Sequence, residues 1–188
     1  MADMIHTANT NAGAPKADVL GMPDSGYWPD DKNEGFSSDF LGMWKMQAGD
    51  APGLPKHCKW ATKNVTQCLF PQYFADEIET RMFPLQSIFD PLQKGKAPQS
   101  HGAWLLDQLN RTVLSTVPKD GHGPNGAWIH SCERHCGAEL LTIDGATVPK
   151  MIGEFLAAKE SGKDKTLWKQ EKPYPCASCC NDQAPDEV

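Results

Sequence analysis

Two side chains that could share a proton, Asp90 and His135, stand 45 positions apart in the chain. Each follows a short apolar segment that predicts a buried strand, and a long amphipathic segment lies between the two. In an open α/β sheet, reactive groups collect just beyond the carboxyl ends of the strands. An acid followed by a histidine in this order is the second half of the Ser, Asp, His chain order of α/β-hydrolase triads.

In such a triad the histidine takes the proton of a nucleophile, while the aspartate fixes the tautomer of the imidazole and stabilises its charged form. Each residue also has an ordinary interpretation. An aspartate at a strand end is commonly a turn residue or a helix cap, and a lone histidine is commonly structural. The pairing and the order therefore make Asp90 and His135 candidates for a catalytic acid and base.

The segments that must hold these residues alternate between strand and helix patterns. Strand patterns cover 17–22, 82–90 and 127–132, and helix patterns cover 38–49, 71–82, 101–117 and, after a capping Thr147, 148–160. Pro84 conflicts with its strand pattern, because it removes a ladder donor and normally marks an edge or a bulge. The alternation predicts an α/β architecture, a mostly parallel sheet with crossover helices.

Composition and charge narrow the function classes. The chain has 188 residues, 39% of them hydrophobic, and a formal net charge of -6. An acidic average surface repels nucleic acid and anionic membranes, so a small or neutral ligand is expected instead. No apolar run is long enough to span a bilayer, and the first residues lack a signal-peptide pattern.

Seven cysteines, at 58, 68, 132, 136, 176, 179 and 180, suggest an oxidising compartment. The spacing of Cys58 and Cys68 around a polar loop suits a local disulfide. Two sequons, at Asn64 and Asn110, are glycosylation candidates and also favour the secretory pathway.

A zinc module is the main alternative use of the cysteines. Cys132 and Cys136 with Cys176 and Cys179 have roughly the spacing of a four-thiolate site, and His135 could replace one ligand. Against zinc, the pattern is not an x2 pair on both sides and leaves Cys58 and Cys68 without a role. A second alternative is a non-catalytic carbohydrate-binding module, using the aromatic residues of "GYWPD" and "WATKN" to stack on sugars.

Four long motifs resemble the carbohydrate esterase family that contains the plant pectin acetylesterases and the animal Notum carboxylesterase. They are "VLGMPDSGYWPD", "CLFPQYFADEIETRMFPLQSIFD", "NGAWIHSCERHCGAE" and "PYPCASCC", and together they run through nearly the whole chain. The second is similar to the family's strand ending on the catalytic acid, and the third to its Asn-Ser-Cys-x-x-His-Cys motif with the catalytic histidine.

The resemblance implies an α/β-hydrolase-like fold in which Asp90 is the triad acid and His135 the base. It implies a Cys58–Cys68 disulfide, and that Cys132 and Cys136 are tied to the C-terminal cysteines, Cys176 and Cys180 among them. The implied reaction is the removal of acetyl groups from pectin or a similar cell-wall polysaccharide, with a fatty-acyl ester on a protein as the alternative substrate. It implies no cofactor and no metal, and a secreted or cell-wall location.

The sequence departs from the family pattern at three places. No Gly-x-Ser-x-Gly nucleophile elbow occurs in it, so residues 1–188 are expected to be the C-terminal part of one esterase domain, with the nucleophile upstream and little activity alone. Lys172 replaces a cysteine of the closing motif and Cys179 is extra, which leaves the pairing of the last three cysteines open. Pro84 replaces an apolar strand residue.

Overall fold

The computed structural model describes residues 19–30, 65–94, 96–118, 123–161, 167–176 and 180–182, and the single positions 38, 39, 42, 45, 46 and 58. The strands and longer helices in these residues are β1 (Leu85–Ser87), α1 (Pro98–Leu109), β2 (Ala127–His130), β3 (Leu141–Ile143), β4 (Ala146–Thr147), α2 (Val148–Ser161), β5 (Leu167–Lys169) and β6 (Asn181–Asp182). Within this part of the chain no helix is long and apolar enough to cross a membrane.

A parallel sheet forms the centre of the described structure. β2 pairs in parallel with β1 on one side and with β5 on the other. The extended segment 19–25 forms parallel bridges from Gly21 to Met82, just before β1, and from Asp24 to Leu85 on the outer side of β1. The α/β architecture with a mostly parallel sheet and crossover helices, expected from the alternating patterns, is confirmed.

Alternation along the strands divides the core between the two helices, because successive side chains of a strand point to opposite faces. Leu85 and Trp128 are buried on one face with Phe155 of α2. Ile129 is buried on the other face with Leu105 of α1. Each crossover helix therefore covers one face of the sheet.

Helix α1 approaches the end of β1 closely, at Gly102. A Cβ atom at Gly102 would lie 2.9 Å from the carbonyl oxygen of Ile88 and 3.0 Å from the Phe89 ring. Pro98 starts this helix at a position where a missing N–H is harmless. The close approach sets the path of the chain as it leaves β1 toward Asp90.

The helix predicted over 101–117 ends earlier than expected. After Leu109 the chain forms a π-helical turn at Asn110–Leu114, and Val117, which the helix pattern would place on one apolar stripe with Leu109 and Val113, is 72% exposed. The Asn125 side chain donates to the Val113 carbonyl, at 2.9 Å, and so takes an acceptor that a continuing helix would use.

The helix predicted over 71–82 is wrong. The segment forms two short 3₁₀ turns, Pro71–Tyr73 and Ala75–Glu77. Gln72 and Tyr73 both bond to Asp30, through its backbone carbonyl and its carboxylate. Neighbouring residues of an α-helix point in directions about 100° apart, so these tertiary bonds compete with the helix.

The remaining predictions have mixed outcomes. α2 begins directly after Thr147, as expected. Pro84 lies just before β1 and its carbonyl accepts from Trp128, so the proline costs a ladder bond only at the start of the strand. Of the helix predicted over 38–49, the described positions are helical and the rest lie outside the described residues.

Sequence patterns missed the small antiparallel sheet in which β3 pairs with β4 and β6, and also missed β5. The β3–β4 turn is Asp144-Gly145, with φ of 49° and 77°. Asp-Gly is the favoured pair for such a two-residue hairpin turn, so the signal was present in the sequence.

Candidate functional site

The structure brings Asp90 and His135 together at the carboxyl edge of the parallel sheet. Ser87, which ends β1, pairs with His130, which ends β2, so the loops after the two strands start side by side. Asp90 Oδ2 and His135 Nδ1 are 2.7 Å apart. Asp90 is fully buried, whereas the His135 side chain is 28% exposed.

The hydrogen bonds of Asp90 orient its carboxylate toward the imidazole. The Leu92 N–H donates to Oδ1 at 2.8 Å, and Gln93 Nε2 donates to Oδ2 at 3.4 Å. Because carboxylate oxygens accept hydrogen bonds, this contact favours the neutral imidazole tautomer that donates from Nδ1 and keeps Nε2 as the acceptor nitrogen. This is the tautomer that a general base needs.

The turn that follows His135 is held by the Asp24-Ser25 pair of the segment before β1. Ser25 Oγ accepts from the Cys136 N–H at 2.8 Å, and Asp24 Oδ2 accepts from the Gly137 N–H at 2.6 Å and from Ala138 at 3.3 Å. Cys136 and Gly137 both have left-handed backbones, with φ of 61° and 72°. Sequence analysis quoted this motif but assigned these residues no role.

Trp28 is a second group beside His135 that sequence analysis did not assign to the site. The two rings meet edge to face with centroids 5.5 Å apart. The indole N–H donates to the Ser25 carbonyl at 2.6 Å. The sequence suggests only sugar stacking for Trp28, and Tyr27, for which it suggests the same role, is a core residue whose hydroxyl bonds to Thr112.

The closing segment of the chain lies against both loops of the site. Tyr174 packs edge to face on Phe89, at 5.2 Å between centroids. Lys94 binds the Tyr174 hydroxyl at 2.8 Å and forms an ion pair with Glu133, which stands two positions before His135. These contacts link the turn after β1 to the loop after β2.

The disulfides partly follow the expectation. Cys58 pairs with Cys68, and Cys132 pairs with Cys180, 48 positions away. Cys176 is also disulfide-bonded. Cys179 lies outside the described residues.

The expected disulfide at Cys136 is wrong, because Cys136 is an exposed free thiol. Its left-handed turn directs the sulfur toward the Asp24 carbonyl, 3.9 Å away, and Cys180 is already bonded to Cys132. Partial desolvation and the nearby carboxylates of Asp24 and Asp90 raise the pKa of this thiol. A protonated thiol is a poor nucleophile, so Cys136 is a poor substitute for a catalytic serine.

The same disulfides contradict the zinc alternative. Cys132 and Cys176, two of the four expected thiolates, are consumed as disulfides. Among the described residues no group of three metal-binding side chains comes together. Of the glycosylation candidates, Asn110 is exposed at the start of the π-helical turn, and Asn64 lies outside the described residues.

A cavity of about 280 Å³ lies on the α2 face of the sheet and is separate from the Asp90–His135 pair. Its lining comprises side chains of β2, the β3–β4 hairpin, α2 and β5, and neither Asp90 nor His135 belongs to it. The lining residues are Trp128, Ile143, Asp144, Gly145, Ala146, Lys150, Met151, Glu154, Trp168, Lys169 and Gln170.

His130, the other histidine of the motif "NGAWIHSCERHCGAE", is a buried structural residue. It is 1% exposed, and its Nδ1 has no hydrogen-bond partner among the described residues. Burial, helped by the positive charge of Arg134, lowers the pKa of His130 from 6.5 to about 4. The neutral ring therefore supports the strand end from within the core.

The lowered pKa of His130 predicts an acid-sensitive fold. Below pH 6.5 His130 of the unfolded chain binds a proton, whereas His130 of the folded chain stays neutral until about pH 4. The free energy of unfolding therefore decreases as the pH is lowered across this window. The loss should reach about 2 kcal/mol between pH 7 and pH 5. Urea unfolding at both pH values should show that His130→Phe reduces this pH-dependent difference, and an unchanged difference would contradict the assignment.

Comparisons with known proteins agree on one family. A family model described as "Pectinacetylesterase" matches residues 1–103. The curated protein pectin acetylesterase 11 of Arabidopsis thaliana is 24% identical over 184 residues, covering 84% of this chain and 47% of that protein. Pectin acetylesterase 4 of the same plant is also 24% identical, and the match covers 87% of this chain and 42% of the length of pectin acetylesterase 4.

One solved structure has a similar fold. The crystal structure of the Wnt deacylase Notum from Drosophila matches with a TM-score of 0.66 at 19% identity, covering 94% of this chain and 53% of that one. The architecture is thus Notum-like, which identifies the sheet as part of an α/β-hydrolase-like fold. The chain spans about half the length of the curated relatives that it matches.

Proposed function

The chain belongs to the pectinacetylesterase family, and from that premise we propose that it supplies the acid and the base of a serine carboxylic ester hydrolase. The observation that carries the proposal is the 2.7 Å contact between His135 Nδ1 and Asp90 Oδ2. A buried carboxylate that accepts from the Nδ1–H leaves Nε2 facing away from the acid. That nitrogen is the one that takes a proton from a nucleophile.

The nucleophile is proposed to lie on a segment encoded upstream, so that residues 1–188 form the C-terminal part of one α/β-hydrolase-like domain. Two facts support this: no Gly-x-Ser-x-Gly elbow occurs in the 188 residues, and the chain matches 47% of the length of pectin acetylesterase 11. Alone, the chain would then hold a base and its positioning acid with no group to acylate.

The proposed reaction runs in two steps. His135 Nε2 takes the serine proton as the serine oxygen attacks the ester carbonyl, and the imidazolium returns that proton to the departing sugar hydroxyl. Water then gives its proton to Nε2 and attacks the acyl-enzyme, and the imidazolium returns that proton to the serine oxygen as acetic acid leaves. Asp90, out of contact with solvent, stabilises the imidazolium in both steps without changing its own protonation.

Acetyl esters of pectin are the proposed substrate, supported by the family, and a fatty-acyl ester on a protein is the alternative. An acetylated polysaccharide is the corresponding partner. The disulfides at Cys58, Cys132 and Cys176 support a secretory or cell-wall location, because such bonds persist in oxidising compartments.

The test compares the intact encoded protein with the 188-residue chain. Acetate release from acetylated pectin is measured for both, alongside hydrolysis of an octanoyl ester and labelling by a fluorophosphonate that reacts with activated serines. We expect the intact protein to release acetate and take the label, and the 188-residue chain to do neither. No hydrolysis of either ester by the intact protein would overturn the proposal, equal activity of the shorter chain would overturn the upstream nucleophile, and preference for the octanoyl ester would overturn the acetyl assignment.

A further inference from the structure

We propose that Asp24 and Ser25 are positioning residues for His135, acting on the backbone of the turn that follows it. The proposal rests on the proposed function, since it assigns a task within the same site. It concerns residues that lie 111 and 113 positions before the amides they bind.

The Asp24–Ser25 clamp binds three successive backbone N–H groups. Ser25 Oγ accepts from Cys136, and Asp24 Oδ2 accepts from Gly137 and Ala138. Gly137 precedes the 3₁₀ turn Ala138–Leu140, so these N–H groups belong to a turn start that needs acceptors. A carboxylate there makes charge-assisted bonds, which are stronger than bonds to neutral acceptors.

The clamp itself is anchored to the strand that leads to the acid. Asp24 forms a parallel bridge with Leu85 of β1, and the Ser25 N–H donates to the Leu85 carbonyl at 2.8 Å. Asp90 follows β1 by a single turn. The clamp therefore attaches the loop that carries His135 to the strand that leads to Asp90. This attachment fixes the two side chains relative to each other.

The backbone conformation and the burial of Ser25 suit this task. Its backbone is left-handed, with φ of 51°, and it is 3% exposed. A left-handed serine costs backbone energy, and such strain persists only where the surroundings impose it. The Ser25 carbonyl also accepts from the Trp28 indole N–H, and the Trp28 and His135 rings meet edge to face.

Loss of the clamp should lower turnover more than substrate binding. A displacement of a catalytic group by about 1 Å can cost about 100-fold in rate. We expect Asp24→Ala to lower kcat about 100-fold in the intact protein with little change in KM. Asp24→Asn, which keeps one oxygen acceptor, should lose less, and Ser25→Gly, which suits the left-handed backbone but lacks the hydroxyl, should lose about 10-fold.

A spectroscopic signal separates positioning from a general structural role. In protein labelled with ¹⁵N-histidine, the Nδ1–H of His135 bonded to Asp90 should give a downfield proton resonance. We expect this resonance to weaken or shift in Asp24→Ala and to recover partly in Asp24→Asn. Glu139→Gln is the matched control, because it removes an exposed carboxylate of the adjacent 3₁₀ turn that binds none of the three amides.

The outcomes distinguish the clamp from the esterase proposal. Wild-type kcat and an unchanged Nδ1–H resonance in Asp24→Ala would overturn the clamp, as would equal losses in Asp24→Ala and Glu139→Gln. If the unmodified protein hydrolyses no ester while the resonance still responds to Asp24→Ala, the proposed function fails and the clamp stands.

Discussion

Asp90→Asn is expected to lower the kcat of the intact protein about 10⁴-fold while leaving the fold in place. The asparagine fits the same buried space, but its amide group can present a donor where the carboxylate accepted from His135 Nδ1–H. The imidazole would then favour the tautomer with its proton on Nε2, which cannot receive the serine proton. Loss of the negative charge also removes the partner of the imidazolium.

His135→Ala should cost at least as much, and the double variant should be no worse than the single ones, because members of a catalytic unit do not act additively. Rates of acetate release from acetylated pectin measure all three variants. Asp107→Asn is the control, since Asp107 is an exposed carboxylate on α1 that pairs with Arg111 at the surface. If Asp90→Asn retained a tenth of the wild-type kcat, Asp90 would not be the triad acid.

Removal of the Cys132–Cys180 disulfide is the second change with a large expected effect. The bond closes a loop between residues 48 positions apart. In the chain-entropy model, freeing a loop of this length lowers the free energy of unfolding by about 4 kcal/mol at 25 °C. Cys132→Ala combined with Cys180→Ala should show this loss in urea unfolding without creating a free thiol.

The Cys58–Cys68 disulfide provides a matched comparison. It closes a loop of separation 10, so its removal should cost about 3 kcal/mol in the same model. The two double variants should differ in function, because Cys132 lies in the loop of His135 and its carbonyl accepts from Ser87 at the end of β1. We expect kcat to fall in the Cys132/Cys180 variant at a temperature where both proteins stay folded. Equal kcat values in the two variants would contradict the role of the Cys132–Cys180 bond in the site. A loss of less than about 1 kcal/mol in its free energy of unfolding would contradict its role in stability.

Several features of the site could be predicted from the sequence because they depend on local pattern and chain order. Apolar runs located β1 and β2, and the turn residues after them located Asp90 and His135. Parallel pairing then required the two strand ends to meet. The short spacing of Cys58 and Cys68 around a polar loop suited a local disulfide, and the structure contains that bond.

Other features needed the tertiary structure, because they depend on which distant groups compete for the same backbone. The 3.6-residue pattern of 71–82 was overridden by bonds to Asp30, and the helix pattern beyond Val113 by the Asn125 side chain. The choice of Cys132 over Cys136 as the partner of Cys180 depends on the left-handed turn at Cys136. Periodicity carries no information on such contacts.

The sequence by itself determined the order of Asp90 and His135, the proposed acid and base, and the α/β alternation that places them at one sheet edge. Only the tertiary structure decided how the base is held: the Asp24–Ser25 clamp joins residues more than 110 positions apart through backbone N–H groups. A backbone N–H is present at every non-proline residue, so the residue types in a sequence do not predict which amides a distant carboxylate will bind.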